Sequence, residues 1–168
     1  GETTTMALVP QVCDAVNIPV IAAGGIADGR GVAAAFMLGA DGVQIGTRFL
    51  SAKECSISEA YKEKLLKAND TSTIVTGKRL GHPVRSIKSP LSRNLAKAEY
   101  SDISDEELDK MAVGSLKAAV ADGDIQHGCF LAGQIVGLVN KEQTAGEIVD
   151  EIVKDTERVL KEAQKWER

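Results

Sequence analysis

The sequence predicts an α/β fold built on parallel strands, and three observations carry that reading. Helix-like segments alternate with short apolar runs, the two clearest runs (IPVIAAGG and ADGVQIGTRFL) lack apolar–polar alternation, and both carry glycine at their ends. Apolar runs bounded by Pro and Gly mark strands covered on both faces, and such strands are joined through helices by right-handed crossovers. From Thr4 to about Lys67 the order reads αβαβα. Pattern alone does not separate a closed barrel from an open sheet.

Each element has its own local reason. Between Thr4 and Val16, Met6, Val9, Pro10, Val12 and Cys13 recur at helical spacing behind a run of Thr able to supply an N-cap. The IPVIAAGG run then gives the first buried strand. In ADGRGVAAAFMLGA, Asp28 is a candidate N-cap, Val32, Ala35, Phe36 and Leu38 form a packing face, and Gly39 sits in the C′ position. ADGVQIGTRFL gives a second buried strand, and from Ser51 the chain turns polar and helical through SEAYKEKLLKAND.

TSTIVTG has strand composition, and KRLGHPVRSIKSPLSRNLAKAEY is rich in turn formers and basic residues, so 70–100 reads as a small excursion. Ser104 with Glu107 makes a capping box ahead of Leu108, Met111 and Ala112, predicting a helix to about Ala121. HGCFLAGQIVGLV is apolar and interrupted by Gly. Thr144 with Glu147 opens a final helix whose Ile148, Ile152, Val159, Leu160 and Ala163 share a face. Residues 1–69 are therefore expected to hold the last strands and helices of the sheet, and 101–168 a helical segment packing on it. Two core strands cannot cover their own edges. The remaining strands are expected from outside these 168 residues, which also suits an opening GETTTM that reads as a loop entering a helix. On that expectation the segment expressed alone folds poorly, and a cooperative thermal transition would overturn it.

Composition excludes several function classes. A chain of 168 residues with 43% hydrophobic content can bury a sizeable core. Its net charge of −4, with basic residues scattered, excludes a nucleic-acid footprint. Cys13, Cys55 and Cys129 form no CxxC or Cys/His cluster, so they read as reduced, structurally buried thiols and not as a metal site or disulfide frame. No apolar run approaches the ~20 residues that span a bilayer, and nothing resembles a signal peptide. A cytoplasmic protein without a membrane partner is expected.

The candidate chemistry sits at the two strand ends. Ala22, Ala23, Gly24 and Gly25 close the first strand, and glycines there let backbone N–H groups approach an anion. Gln44, Ile45, Gly46 and Thr47 close the second, followed by TRFLSAKE as a short helix whose N-terminal dipole favours phosphate. A lone GG pair serves equally well to turn a strand into a helix; two such ends separated by one helix point to a phosphate clamp. Arg30 and Arg48 fit solvated surface positions better than ligand positions. His82 in GHP and His127 in DIQHGC fit structural or exposed roles.

PVIAAGGIADGRGVAAAFMLGADGVQIGTRFL resembles the FMN-binding region shared by bacterial enoyl-acyl-carrier-protein reductase II and the nitronate monooxygenases. GHPVRSIKSPLSR, MAVGSLKAAVADGD and LAGQIVGLVNKEQTAGEIV resemble the reductase branch more closely. The resemblance covers nearly the whole chain. It implies the C-terminal part of a TIM-type (β/α)8 barrel, strands seven and eight, with a mainly helical C-terminal extension. It also implies an FMN phosphate held by Ala23, Gly24, Gly25, Gln44, Ile45, Gly46 and Thr47, and a flavin edge near Leu131 to Gln134, a stretch that could equally be a core junction. Activity would be reduction of a trans-2-enoyl thioester, on acyl-carrier protein or coenzyme A, with NADH or NADPH as hydride source. Gly1 resembles the last residue of a Gly-Gly-His-x-Gly loop, so the family's histidine would lie upstream of Gly1 and no catalytic residue is assigned here. The implied partner is the N-terminal half of the same barrel, and a homodimer is left open. Alternatives are a nitronate monooxygenase on the same cradle, a non-flavin barrel isomerase or synthase taking a phosphorylated substrate, and a non-catalytic half-barrel.

Overall fold

Asp41 fixes how the two central strands meet: its N–H donates to the Val20 carbonyl at 2.8 Å, and its carboxylate accepts from the Val20 N–H at 2.8 Å. From that anchor β1 (Ile21–Ala23) and β2 (Gly42–Gln44) run parallel, with Ile21 opposite Gly42, Ala22 opposite Val43 and Ala23 opposite Gln44. This computed structural model describes residues 3–166, and the chain divides into two units, 1–54 with 143–168, and 55–142. Positions 69 and 100, where the sequence suggests boundaries, both fall inside the second unit.

In the first unit, α1 (Thr5–Ala15) precedes β1 and α2 (Gly29–Met37) crosses from β1 to β2. Asp28 caps α2 as expected, accepting from the Arg30 N–H at 3.0 Å and the Gly31 N–H at 3.3 Å. Gly39, at φ +98°, takes the left-handed turn that lets the Ala40 N–H return to the Ala35 carbonyl at 3.0 Å. Val9, Ala22, Ile26, Val32, Ala35 and Ala40 form the core, with Cys13, Val43 and Ile152 packed around it.

A capping box opens α7 (Ala145–Ala163): Thr144 Oγ1 accepts from the Glu147 N–H at 3.1 Å, and Glu147 Oε2 from the Thr144 N–H at 2.7 Å. This helix packs on α2, and a Cβ added to Gly29 would overlap the Thr156 amide and Asp155. Ile148 is fully buried, whereas the remainder of the expected face, Ile152, Val159, Leu160 and Ala163, is half-buried.

Three expectations for this unit need correction. Thr4 occupies the N-cap of α1 without a side-chain cap bond. The strands are not covered on both faces: in β1 only Ala22 is buried and Ile21 is 56% exposed, while β2 is half-covered, because the core cluster of this unit packs on the Ala22 face and leaves Ile21 and Ala23 open on the other. Phe36 lies outside the α2 packing face, which holds Val32, Ala33 and Ala35 buried, with Leu38 partly buried against the core as expected.

The second unit is antiparallel, a sheet that the reading of 70–100 as a small excursion did not foresee. β3 (Thr73–Thr76), as predicted from TSTIVTG, pairs with β4 (Val84–Ile87), which pairs with β5 (Phe130–Leu131). The turn-rich stretch holds both β4 and α4 (Pro90–Ala98), whose start is set by a Ser89–Ser92 capping box and Pro at the first helical position. α3 (Glu59–Leu66) starts eight residues later than its sequence pattern suggests, at the Ser58 cap.

The Ser104–Glu107 box opens α5 (Asp105–Ala112) as predicted. That helix does not reach Ala121, because Gly114 turns left-handed at φ +76° before α6 (Ser115–Lys117) and a π-turn over Ala118–Asp122. Phe130 is fully buried; Tyr61 meets it edge-on, with ring centroids 5.0 Å apart, and donates its hydroxyl to the Leu131 carbonyl at 2.6 Å.

Gly29→Ala is expected to lower stability by about 1–3 kcal/mol, because the new methyl must push α7 off α2. Gly146→Ala, in α7 where an added Cβ meets open space, is expected to stabilise by about 0.5–1 kcal/mol. Urea midpoints of the two variants check both signs.

Candidate functional site

Gly24 and Gly25, directly after β1, adopt φ of +95° and +77°, a region that L side chains resist. The Thr5 hydroxyl donates to the Gly24 carbonyl at 2.8 Å, so the first turn of α1 is tied to this loop. The Thr run thus contributes a loop anchor where a helix cap was expected.

After β2, Ile45 packs against the core and Gly46 leads into a five-residue 3-10 turn, Thr47–Ser51. The register that sets Ala23 beside Gln44 brings the two loops out at the same end of the strand pair. Ala23, Gly24, Gly25, Gln44 and Gly46 are exposed there, with Ile45 and Thr47 half-buried. Among the described residues nothing accepts from the N–H of Gly25 or Gly46. Two open amides at adjacent strand ends are a fit for anion oxygens. Gly46 differs from the other two glycines, with an ordinary φ of −105° and no atom within 4 Å of an added Cβ. Neither backbone conformation nor packing among the described residues requires glycine at that position.

Arg48 corrects the surface reading. It is buried at 6% exposure, donates to Ser51 Oγ at 2.7 Å and donates to Gln143 Oε1. Gln143 in turn donates to Glu151 Oε2 at 2.7 Å. This cation holds the 3-10 turn to the start of α7. Gln143 stands 95 residues away in sequence, and no local pattern points to the pairing.

Arg30 stays on the surface, 2.5 Å from Asp28. A cavity of about 380 Å³ beside them is lined by Asp28, Arg30, Arg48, Glu151, Asp155 and Arg158. Its charges balance internally, with Arg158 2.5 Å from Asp155.

The remaining candidates read simply. His82 is exposed in the β3–β4 turn, and His127 is exposed with Nδ1 2.8 Å from Asp124. All three cysteines are free and half-buried, short of the full burial expected, and burial pushes the Cys129 thiol up. No cluster of three metal-ligating side chains occurs among the described residues. Leu131 to Gln134 belong to the second unit, where Leu131 ends β5 and Gln134 starts a 3-10 turn. The Gly1 resemblance lies outside the described residues.

A model of the nitronate monooxygenase family matches residues 1–155. The chain belongs to the nitronate monooxygenase family. Its similarity to a probable nitronate monooxygenase of Staphylococcus saprophyticus is 37% identity over 158 residues, 93% of this chain and 44% of that protein. Among solved structures it resembles FabK from Thermotoga maritima, with 44% identity and a TM-score of 0.95 over 99% of this chain and 53% of the other. It also resembles a nitroalkane oxidase from Streptomyces ansochromogenes, with 29% identity and a TM-score of 0.77 over 94% and 44%. The chain thus spans about half the length of these members and neighbours of the family.

Asp28 supplies a pH test of this part of the family fold. Burial raises its carboxyl, but the Arg30 side chain and the Gly31 and Arg30 amides outweigh it and hold the group below its ordinary 3.8. A lowered folded value means the contribution is present above pH 3.8 and fades as pH falls through the folded value. Asp28→Asn is expected to flatten the acid limb of a stability-versus-pH curve relative to wild type, while losing stability near neutrality.

Proposed function

We propose that this chain carries the FMN-phosphate end of a flavin-dependent enoyl-acyl-carrier-protein reductase, the barrel being completed by an N-terminal half of the same protein. The observation that carries the reading is the Ala23–Gln44 pairing, which aligns two glycine-bearing loops with open Gly25 and Gly46 amides. Gly24 and Gly25 would curl the first loop under the phosphate. Gln44, Ile45, Gly46 and Thr47 would approach it from the second, and Ala23 would flank it. When bound, the flavin would supply hydride transfer from NADH or NADPH to the enoyl thioester. The chain's own part is to seat and orient the cofactor tail. The expected partner half is supported by the exposed apolar side chains of Leu8, Val12, Val16, Ile18 and Ile21 on the first unit.

FabK, an enoyl-acyl-carrier-protein reductase, is more similar to this chain than the nitroalkane oxidase is, at 44% against 29% identity, which favours the reductase. The second reading, a nitronate monooxygenase using FMN and oxygen, is favoured by the family match and by the Staphylococcus relatives' names. A role in fatty-acid synthesis and a cytoplasmic location accompany the reductase reading. No helix among the described residues is long and apolar enough to cross a membrane.

Turnover separates the readings: the purified protein with its N-terminal half is expected to consume an enoyl thioester with NADH or NADPH, whereas oxygen uptake with an alkyl nitronate and no enoyl reduction would favour the alternative. Gly46→Val is expected to lower FMN content with little change in folding, because the new side chain meets no protein atom near Cβ and fills the ligand's approach. Wild-type flavin content in that variant would remove Gly46 from the site.

A further inference from the structure

The second unit contains a cavity of about 730 Å³, within the size range of small-molecule sites. Its walls come from α3, the loop after it, the end of β4 and α4, and four cations line it: Lys64, Lys67, Lys88 and Arg93. Lys67 is matched by Glu63 at 3.0 Å. The other three have no carboxylate partner among the described residues: Lys88 donates to the Thr71 carbonyl at 2.7 Å, and Lys64 stands 5.4 Å above the Phe130 ring. Burial, then the Arg93 charge, hold the Lys64 ammonium below its ordinary value.

Three positive charges without a carboxylate partner face one recess, and an anion held there would offset their mutual repulsion. On the rim Asn69 Oδ1 accepts from the Thr71 N–H at 3.0 Å, Thr71 Oγ1 at 2.9 Å and Ser72 Oγ at 2.9 Å. Ile87 and Ile125 add an apolar wall. We propose that this cavity binds a phosphorylated small molecule bearing two or more negative charges, with the Arg93 guanidinium and the Lys64 and Lys88 ammonium groups as its contacts. The site lies wholly in the second unit and shares no residue with the proposed FMN clamp.

Pyrophosphate and orthophosphate are titrated calorimetrically into the purified protein, its N-terminal half included, and into its Lys64→Met, Arg93→Gln and Gly46→Val variants. Lys64→Met keeps bulk against Phe130, and Arg93→Gln changes an exposed side chain, so each variant should fold. Expected is saturable pyrophosphate binding, tighter than orthophosphate, that Lys64→Met and Arg93→Gln each weaken about tenfold while Gly46→Val leaves it intact. Absence of saturable binding, equal affinity for the two anions, or binding that survives Lys64→Met and Arg93→Gln but fails in Gly46→Val would overturn the proposal.

Discussion

The parallel pairing of β1 with β2 is the constraint on which the first unit depends. Two strands of three residues offer few ladder bonds, so their register needs a peg, and Asp41 supplies one by bonding Val20 through both backbone and side chain. In a parallel pair a register fixed at one end is fixed at the other, since side chains and carbonyls advance together. The peg at the N-terminal ends therefore sets Ala23 beside Gln44 and determines where both glycine loops emerge.

The same constraint governs the helices. A crossover between adjacent parallel strands must leave β1, climb and return within the residues available. Asp28 starts α2 at once and Gly39 stops it sharply, so the return to β2 needs no long loop. Small residues then let α7 lie close over α2: Gly29 faces the Thr156 backbone, and Ala33 and Ala35 are buried on the same helix. The buried Arg48, held by Ser51 and Gln143, ties the turn after β2 to that covering helix. Register, crossover and cover thus act in sequence to hold the loops.

Legibility in the sequence followed the range of the interaction. Asp28, Ser104 and Thr144 were readable as caps because a cap and its partner amides lie within three residues. Both strand ends and their glycines were readable for the same reason. The antiparallel sheet was not: β4 is a four-residue segment, VRSI, with mixed polarity, and β5 has two residues, so neither offers a period. Pairing of β5 with β4 sets Ser86 opposite Leu131 and Ile87 opposite Phe130, contacts between distant parts of the chain that no local window contains. Arg48 failed for a similar reason, since its acceptor Gln143 arrives from the far end of the chain. Gly114 marks a break that the strong Ser104–Glu107 signal concealed.

Glycine itself divides into two kinds here, and the division bears on function. Gly24, Gly25, Gly39 and Gly114 have positive φ, and Gly29 faces a neighbouring backbone, so fold geometry accounts for each. Gly46 has neither property. Gly146 on α7 shares that freedom from strain and clash, so the case for Gly46 rests on the strand-end position of its N–H. That N–H has no acceptor among the described residues, and its loop emerges beside the one holding Gly25, whose N–H is also open. The fold explains Gly24 and Gly25 with or without a ligand, whereas in the proposed reading Gly46 leaves its amide open to an approaching anion. The weight of the phosphate-clamp reading therefore rests on the second strand end more than on the Gly-Gly pair that is more conspicuous in the sequence.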